Sequence, residues 1–215
     1  MTVHPPRIQA PALSGLEPAT LDDLLAGDLR EGESFTDDSL ADRTLADLTF
    51  SECSFDGLHA SGLVCRGIRA TDCSIESADA ATISAPSSTL RDVTISHSRI
   101  GSLEGYDSQW NSVRLTECKL GYINLRGSVL ADVAFDGCQI DELDLGSARA
   151  TRVTLSGCRI GTLEVPGATL KDVDLRGLDL SRIVGADGLR GAVIDDEQLL
   201  QLAPILASQL GIEVV

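Results

Sequence analysis

The sequence predicts an all-β solenoid, a β-helix of about seven to eight coils that a C-terminal α-helix closes at one end. Three observations support this prediction: an apolar repeat of five residues, a longer period of twenty residues, and a change to helical spacing near the C-terminus. From Phe35 to Leu180, every fifth residue forms a series of 30 positions in one phase, and only Gly105 in this series is not apolar. Strands repeat every two residues and helices every 3.6, so neither alone explains the spacing.

The period of twenty residues indicates how the pentapeptides are arranged. Written in blocks of twenty, residues 89–188 align without gaps. One column of this alignment contains Val93, Val113, Val133, Val153 and Val173. Four pentapeptides therefore return the chain to its starting azimuth, and each coil stacks on the previous one about 4.8 Å higher. Two residues before each fifth position lies a second, small or apolar residue that also points inward. Stacking pairs the backbone groups of every coil except at the ends, which need caps.

On these repeats the chain resembles the pentapeptide repeat proteins, whose loose consensus is A-(D/N)-L-x-x. The stretches VLADV, TLKDVDLRGLDL and VTLSGCRIGTL carry the resemblance, which covers roughly residues 33–187. The resemblance implies a right-handed quadrilateral β-helix, in which each pentapeptide forms one side of a square. The chain departs from the consensus by placing Val, Leu, Ile or Cys where Ala is commonest, and this departure leaves the fold intact.

Residues 1–32 precede the repeat and are weakly patterned. The stretch HPPRIQAPALSGLEPAT is rich in proline and is typical of an extended or disordered tail. Thr20 is placed to cap a short helix, Leu21–Ala26, which would form a lid over the first coil. Three charged residues fall at nominally inward positions of the first coils: Glu33, Asp38 and Arg43. Fully regular structure is therefore expected only from about Leu48.

Residues 188–215 change to a helical period, which predicts a C-terminal cap. Asp195 is a good N-cap for a helix, Pro204 is expected to kink it or begin a second short one, and Gly211 suits the C-cap. The last four residues, IEVV, are typical of a closing strand. The apolar surplus also predicts a homodimer contact, and the resemblance adds that relatives acting on topoisomerases dimerise through such elements. The candidate contact residues are Leu199, Leu202, Leu206 and Leu210.

One interruption of the repeat allows two interpretations. In the stretch SLEGYDSQW, Gly105 leaves a gap that Leu125 and Leu145 fill in later coils, and Trp110 is large for its own side. Either the indole fills the space that the glycine leaves, which we favour, or the coil bulges and presents Tyr106 and Trp110 to a partner.

No catalytic or metal-binding constellation emerges from the sequence. The three histidines stand in no motif with a nucleophile, and none of the six cysteines forms a CxxC pair. The column from Cys118 through Cys138 to Cys158 is either small apolar filler of the lumen, which we favour, or a redox ladder. Three aspartates recur at one position of the repeat: Asp92, Asp132 and Asp172. Such a column more often marks the corners of the coils or a solvated face than a pair of catalytic carboxylates. We therefore expect a protein that is not an enzyme and has no cofactor or metal ion.

Composition restricts the partners. The formal net charge of −16 disfavours direct binding to nucleic acid or to an anionic membrane, whereas a basic protein surface is a suitable partner. The N-terminus lacks the basic start and apolar run of a signal peptide, and no apolar stretch is long enough to span a bilayer. Free thiols fit a reducing compartment. A cytoplasmic protein is expected.

Two functions remain open from the sequence. The resemblance to fluoroquinolone-resistance pentapeptide repeat proteins implies a DNA mimic that binds DNA gyrase or another topoisomerase and modulates quinolone action. The alternative is an interaction scaffold for an unrelated protein partner. Residues 33–187 carry 24 acidic and 14 basic side chains, so the rod is partly acidic and is not a uniform copy of DNA. The most acidic side supplies the candidate partner-binding residues Asp56, Glu76, Glu117, Asp136 and Asp174.

Overall fold

The computed structural model describes residues 3–180, 182–209 and 211–213. The chain forms a parallel β-solenoid of about nine turns, followed by a single C-terminal helix. This architecture confirms the predicted solenoid with a helical cap and adds about one turn to the predicted length. At roughly 4.8 Å per turn, nine turns make a rod about 43 Å long.

Two parallel sheets run along the rod, one of 12 strands and one of 8. The larger sheet contains β1 (Glu17–Pro18), β2 (Leu29–Glu31), β3 (Glu33–Thr36), β5 (Thr49–Ser51), β6 (Ser54–Asp56), β8 (Arg69–Glu76), β10 (Thr89–Ser96), β12 (Gln109–Thr116), β14 (Val129–Asp136), β16 (Arg149–Ser156), β18 (Thr169–Asp174) and β20 (Ala192–Val193). The smaller sheet contains β4 (Thr44–Ala46), β7 (Leu63–Arg66), β9 (Asp79–Ser84), β11 (Arg99–Glu104), β13 (Lys119–Asn124), β15 (Gln139–Asp144), β17 (Arg159–Glu164) and β19 (Ile183–Val184). A 3₁₀ helix covers Ala186–Leu189, and helix α1 covers Asp196–Gln209.

Through most of the solenoid, each residue lies above the residue twenty positions earlier. Val113, for example, pairs with Val93 below it and Val133 above it. We number the four sides of a turn by the inward residues at their centres: side 1 at Trp110, side 2 at Leu115, side 3 at Leu120 and side 4 at Leu125. Strand β12 covers sides 1 and 2, and β13 begins on side 3. On side 4 the turns are joined by bonds such as that from the N–H of Leu125 to the carbonyl of Asp144, at 2.8 Å.

Left-handed residues make the corners. Among the described residues, 16 that are not glycine have positive φ, and 8 of these are aspartates. A short polar side chain tolerates this conformation better than most others do, which explains the preference. Asp92, Asp132 and Asp172 have φ of 53°, 57° and 53° at the corner between sides 1 and 2. The aspartate column therefore consists of corner residues, as we favoured.

The small residues at the second inward position bond to the backbone as well as fill the lumen. The hydroxyl of Ser98 accepts the N–H of Ala78 at 3.0 Å and donates to the carbonyl of Ser96 at 2.9 Å. One turn later, the thiol of Cys118 donates to the carbonyl of Ile95 at 3.6 Å. These side chains thereby bond to backbone N–H and carbonyl groups near the corners of the turns.

We expect Ser98→Ala to lower the free energy of unfolding by about 1–3 kcal/mol, because it leaves the buried N–H of Ala78 without its acceptor. The matched control is Ser98→Cys, since Cys118 fills the same position one turn later, and its loss should be smaller. Urea unfolding followed by circular dichroism measures both. Equal losses for the two variants would contradict the proposed role of the hydroxyl.

The solenoid begins earlier than the sequence indicated, because residues 17–31 add a turn. Strand β1 pairs with β3, and β2 pairs with β5. The predicted boundary between residues 32 and 33 therefore falls inside the paired region. The expectation of regular structure only from Leu48 is also wrong, since β3 and β4 already pair with the strands of the next turn.

The short helix predicted at Leu21–Ala26 is not formed. This segment makes turns, and Leu21 and Leu24 are fully buried at the end of the core. The guanidinium of Arg43 donates to the carbonyls of Leu21 and Leu24, so the turns are held from the next coil and need no helical bonds. Arg43, a charge at a nominally inward position, thus belongs to the N-terminal cap.

The proline-rich N-terminal segment is extended and lies along the corner between sides 1 and 2. The backbone N–H of Arg7 donates to Oδ1 of Asp132, and that of Gln9 donates to Oγ of Ser112, both at 2.8 Å. We call residues 4–12 the N-terminal strap. Of the two states that the composition allowed, extended or disordered, the structure shows the extended one.

The C-terminal helix is tied to the last turn by a reciprocal cap. The N–H of Gln198 donates to Oδ1 of Asp195, and the N–H of Asp195 donates to Oε1 of Gln198, both at 2.9 Å. The buried amide of Gln198 also donates to the carbonyls of Leu175 and Leu178. Asp195 is therefore the N-cap that the sequence predicted, and Gln198 joins the helix to the solenoid.

Neither the second short helix at Pro204 nor a strand at Ile212 and Glu213 is formed. Helix α1 continues through Pro204, so no second helix begins there; the proline removes one backbone donor without ending the helix. Gly211, with φ of 69°, ends the helix as predicted, and the N–H of Ile212 donates back to the carbonyl of Ala207. This bond closes the helix, so Ile212 and Glu213 form no strand, and residues 214–215 lie outside the described residues. No helix among the described residues is long and apolar enough to cross a bilayer.

Packing accounts for the interruption at Gly105. Trp110 is buried and pairs with Leu90 and Leu130, and the N–H of Gly105 keeps its ladder bond to the carbonyl of Asn124 at 2.9 Å. The ladder continues through this coil, which does not bulge, and the indole is buried in the lumen without filling all of the space beside the glycine. An apolar cavity of about 130 Å³ still lies beside it.

Candidate protein-binding surface

The five acidic residues that the sequence singled out all lie on or beside side 2. Asp56, Glu76 and Asp136 share one column of the register. Glu117 lies at the corner between sides 2 and 3, and Asp174 lies near the C-terminal end of side 2. From Asp56 to Asp174 is about six turns, or roughly 28 Å. These residues line the rod and do not form one cluster.

Arginine side chains pair with two of these five carboxylates, and the imidazole of His97 lies beside two more. The contacts are Arg114 with Asp136 at 2.7 Å, Arg176 with Asp174 at 2.6 Å, and the imidazole of His97 with Glu76 at 3.6 Å and Glu117 at 3.2 Å. The hydrogen bond from Arg176 lowers the pKa of Asp174. Exposed pairs of this kind add little stability, but they weaken the negative potential that a basic partner would meet.

A denser group of carboxylates lies at the corner between sides 3 and 4. The ladder places Glu104, Asp144 and Glu164 in one column, and Tyr122 and Glu142 in the neighbouring column. Tyr106 lies on side 4 of the same stack, so both tyrosines of the chain belong to this surface. The tyrosine–carboxylate patch, as we name it, consists of Tyr106, Tyr122, Glu104, Glu142, Asp144 and Glu164.

The negative charge of the patch is only partly compensated. Nη1 of Arg126 donates to both carboxylate oxygens of Asp144, at 3.1 and 2.9 Å. Among the described residues, the other three carboxylates of the patch form no ion pair, and Glu104 accepts a hydrogen bond from the amide of Asn124 at 2.7 Å. Burial, together with the charges of Asp144 and Glu142, raises the pKa of Glu164. Burial and the nearby carboxylates likewise raise the pKa of Tyr122. The patch thus keeps an excess negative potential that a cationic partner can relieve.

Grouping residues by the side of the square misses this patch, because its members straddle a corner. Glu142 belongs to side 3 and Asp144 to side 4, yet both flank the inward Leu143 on strand β15, with Glu142 partly exposed and Asp144 buried against Arg126. The chain passes this corner without a left-handed residue. The signal is present in the sequence: Tyr122 and Glu142 stand where most other corners have Asp, Gly or Ser.

No family model and no curated protein matches the chain. Among solved structures, a trypsin-treated variant of QnrB1, a plasmid-mediated fluoroquinolone resistance protein, aligns with a TM-score of 0.49 at 15% identity, covering 94% of this chain and 100% of that one. Full-length QnrB1 aligns with a TM-score of 0.45 at 18% identity, covering 91% and 95%. HetL, a pentapeptide repeat protein involved in heterocyst differentiation regulation from the cyanobacterium Nostoc, aligns with a TM-score of 0.48 at 18% identity, covering 80% and 91%.

The chain has a pentapeptide-repeat fold. Its own repeat of five residues and the ladder of twenty-residue turns carry this assignment. The likeness to the solved structures concerns the fold alone.

The six cysteines of the pentapeptide-repeat solenoid are free and buried. Burial raises the pKa of Cys65 to about 11. The thiol of Cys138 donates to the carbonyl of Leu115 at 3.6 Å, so the stacked thiols fill the lumen and bond to the turn below. Among the described residues, no three His, Cys, Asp or Glu side chains are placed to hold a metal ion.

We expect all six thiols of the folded chain to react with a disulfide reagent such as dithionitrobenzoate far more slowly than those of the unfolded chain. Burial keeps all six sulfur atoms out of reach of the reagent. Absorbance of the released thiolate, with and without denaturant, measures the two rates. Rapid modification of even one thiol in the folded chain would contradict the assignment as lumen filler.

Of the four leucines considered for a dimer contact, the three that the structure describes do not share one surface. Leu202 is 1% exposed and packs into the core, and Leu206 is partly buried against it. Leu199 is 52% exposed, and its neighbour Leu200 is 75% exposed. Leu210 lies outside the described residues. Leu202 and Leu206 therefore hold the cap on the solenoid and are not free for a second copy.

Proposed function

We propose that the chain is a non-enzymatic protein-binding module that binds a basic surface of its partner through the tyrosine–carboxylate patch. The excess negative charge of the patch carries this proposal, since four carboxylates and two tyrosines stand on one ladder and Arg126 pairs with Asp144 alone. Carboxylates steer a basic partner toward the surface. Tyrosines supply a large contact area at a small loss of side-chain entropy, which is why they recur at binding hot spots.

As the partner we propose DNA gyrase, through the basic surface with which it binds DNA. The resemblance of the repeat to the fluoroquinolone-resistance pentapeptide repeat proteins supports this choice. A duplex about 43 Å long carries about 25 phosphate charges, one for every 1.7 Å. The 24 acidic and 14 basic side chains of residues 33–187 give a net charge of −10, well below that value. We therefore propose a local mimic, in which the patch replaces a few phosphates.

Supercoiling by purified gyrase, with and without a quinolone, tests the proposal. We expect the full chain at micromolar concentration to inhibit supercoiling or to protect the enzyme from the drug. The patch variant, Glu104→Gln with Glu142→Gln and Glu164→Gln, should need roughly tenfold more protein for the same effect, because steering by charge is lost.

A side 2 variant, Glu76→Gln with Glu117→Gln and Asp136→Asn, is the matched control, since it also removes three charges. Its effect on gyrase should stay within about twofold of that of the unmodified chain. An equal or larger loss in the control would show that the patch is not the binding surface. If the unmodified chain has no effect, gyrase is not the partner. Capture of another protein by the unmodified chain and not by the patch variant would then support the scaffold function.

We also propose that the chain is a homodimer through the exposed part of helix α1, where Leu199 and Leu200 face solvent. Light scattering coupled to size exclusion should give twice the chain mass of 22.7 kDa. Leu200→Glu should yield the mass of one chain at the same concentration, because it places a charge in an apolar contact. A single-chain mass for the unmodified protein would contradict the dimer.

A further inference from the structure

The N-terminal strap contacts one row of corner residues by its backbone. The row runs along the corner between sides 1 and 2 and consists of Asp72, Asp92, Ser112, Asp132, Arg152 and Asp172. Four N–H groups of the strap donate to it: His4 to Asp172 at 3.3 Å, Arg7 to Asp132 at 2.8 Å, Gln9 to Ser112 at 2.8 Å, and Ala12 to Asp72 at 3.4 Å. We call this row the corner row.

The strap and the corner row match in length. From Asp172 to Asp72 the row spans five turns, or about 24 Å at 4.8 Å per turn. From His4 to Ala12 the strap spans eight residues, or about 25 Å at the 3.1 Å rise of a polyproline II helix. Three prolines, Pro5, Pro6 and Pro11, favour that conformation. None of these prolines stands at one of the four strap positions whose backbone N–H donates to the corner row.

Burial shows that the strap covers the corner row. Ser112 and Asp132 are 5% and 8% exposed, although they occupy outward corners. At the neighbouring corner, between sides 2 and 3, His97 and Glu117 are exposed. Within the strap, Ile8 is partly buried while the residues on either side of it are exposed, as expected for an extended peptide that lies on a surface.

Charge also matches the strap to the row. Four aspartates and one arginine make the row acidic, and the strap contributes His4 and Arg7. The guanidinium of Arg152 donates two hydrogen bonds to Asp132, both at 2.6 Å. These bonds fix the carboxylate so that its Oδ1 also accepts the N–H of Arg7.

We propose that the corner row is a binding site for an extended, basic, proline-rich peptide, and that the strap is its resident and displaceable ligand. Recognition uses the backbone N–H groups at strap positions 7 and 9, and polyproline II geometry between the donors sets the register. The site is separate from the tyrosine–carboxylate patch, which lies at the diagonally opposite corner of the solenoid.

Peptide binding to the full chain tests this proposal. The probe is a fluorescent peptide with the sequence of residues 1–14. The full chain carries Arg7→Pro with Gln9→Pro, which removes two donors of the resident strap and keeps its extended geometry. Fluorescence anisotropy should show that the probe binds this weakened-strap chain at least roughly tenfold more tightly than it binds the unmodified chain, because the resident strap competes less.

Two controls identify the site. A probe carrying the same two prolines should not bind, because it lacks the donors. The weakened-strap chain with added Ser112→Gly and Asp132→Gly should not bind the unmodified probe, because it lacks the acceptors. Glycine suits these corners, as Gly137 and Gly157 do at another corner, so the fold should persist and circular dichroism checks it. Equal binding by either control, or no gain with the weakened strap, would overturn the proposal.

Proteolysis of the full chain provides an independent measurement. Trypsin cleaves after Arg7 only when this part of the strap leaves the surface. Cleavage there, followed by mass spectrometry, should be at least about tenfold faster in the Ser112→Gly, Asp132→Gly chain than in the unmodified chain. Equal rates would show that the strap is not held by the row and would also overturn the proposal.

Discussion

Replacing Leu130 by alanine is expected to lower the free energy of unfolding by about 2–5 kcal/mol. Leu130 is 1% exposed at the centre of side 1, stacked between Trp110 and Ala150. Truncation leaves a cavity in the lumen. Because a turn contacts only its neighbours, the cavity weakens two successive interfaces that no distant contact can reinforce.

Val129→Ala is the matched control for Leu130→Ala. Val129 precedes Leu130 on strand β14 and is 41% exposed, so its truncation should change the free energy of unfolding by no more than about 0.5 kcal/mol. Urea unfolding monitored by circular dichroism gives both values. Similar losses for the two variants would contradict the division of the strand into inward and outward positions.

Gly121→Ala is expected to destabilise the solenoid by about 3 kcal/mol. A Cβ atom at this position would lie 2.1 Å from the carbonyl oxygen of Gly101 in the turn below. That neighbour is backbone, so it cannot rotate away as a side chain can. The two turns would have to separate locally, which would stretch the ladder bonds between β11 and β13.

Gly105→Ala provides the same chemical change at a tolerant position. Its Cβ would lie 3.3 Å from a methyl group of Leu125, which is the end of a side chain and not backbone, so a shift of a few tenths of an ångström relieves the contact. We expect a change within about 1 kcal/mol. Thermal unfolding measures the loss of stability in both variants. An equally large loss for Gly105→Ala would mean that the close approach of stacked turns is not the reason for glycine at position 121.

The regular part of the fold could be predicted because each turn repeats the same local requirements. Val93, Val113 and Val133 occupy the same environment, so one phase of apolar residues specifies every turn between them. The helical cap was also predictable, because Asp195 and Gly211 are local signals that act within a few residues of the helix ends.

The N-terminal elements were harder to predict, because their partners are distant in sequence. Residues 17–31 end the stack and meet neighbours on one side only, so they need not follow the five-residue pattern. A charged residue such as Arg43 is unexpected at an inward position of the repeat. Its partners are the carbonyls of Leu21 and Leu24, which only the fold brings to it. The strap bonds residues such as Arg7 and Asp132, which are 125 positions apart, and no local pattern encodes such a contact.

The acidic residues that the sequence singled out lie along side 2, where Arg114 and Arg176 lie within reach of two of the carboxylates. These pairings depend on side-chain geometry, which counting charges cannot supply. The carboxylates between sides 3 and 4 were not singled out. These less compensated carboxylates lie where a strand passes the corner between the two sides, and there Glu142 is partly exposed whereas Asp144 is buried and paired with Arg126.

Direct binding to purified gyrase, measured by surface plasmon resonance at several salt concentrations, tests the central claim that the patch binds a basic protein surface. The affinity should fall steeply as salt rises, because salt screens exposed charges beyond about 10 Å at 0.1 M. The patch variant should bind roughly tenfold more weakly than the unmodified chain, and the side 2 variant should bind within about twofold of it. The claim would be contradicted by absence of binding, or by an affinity that is independent of salt and is the same for the patch variant as for the unmodified chain.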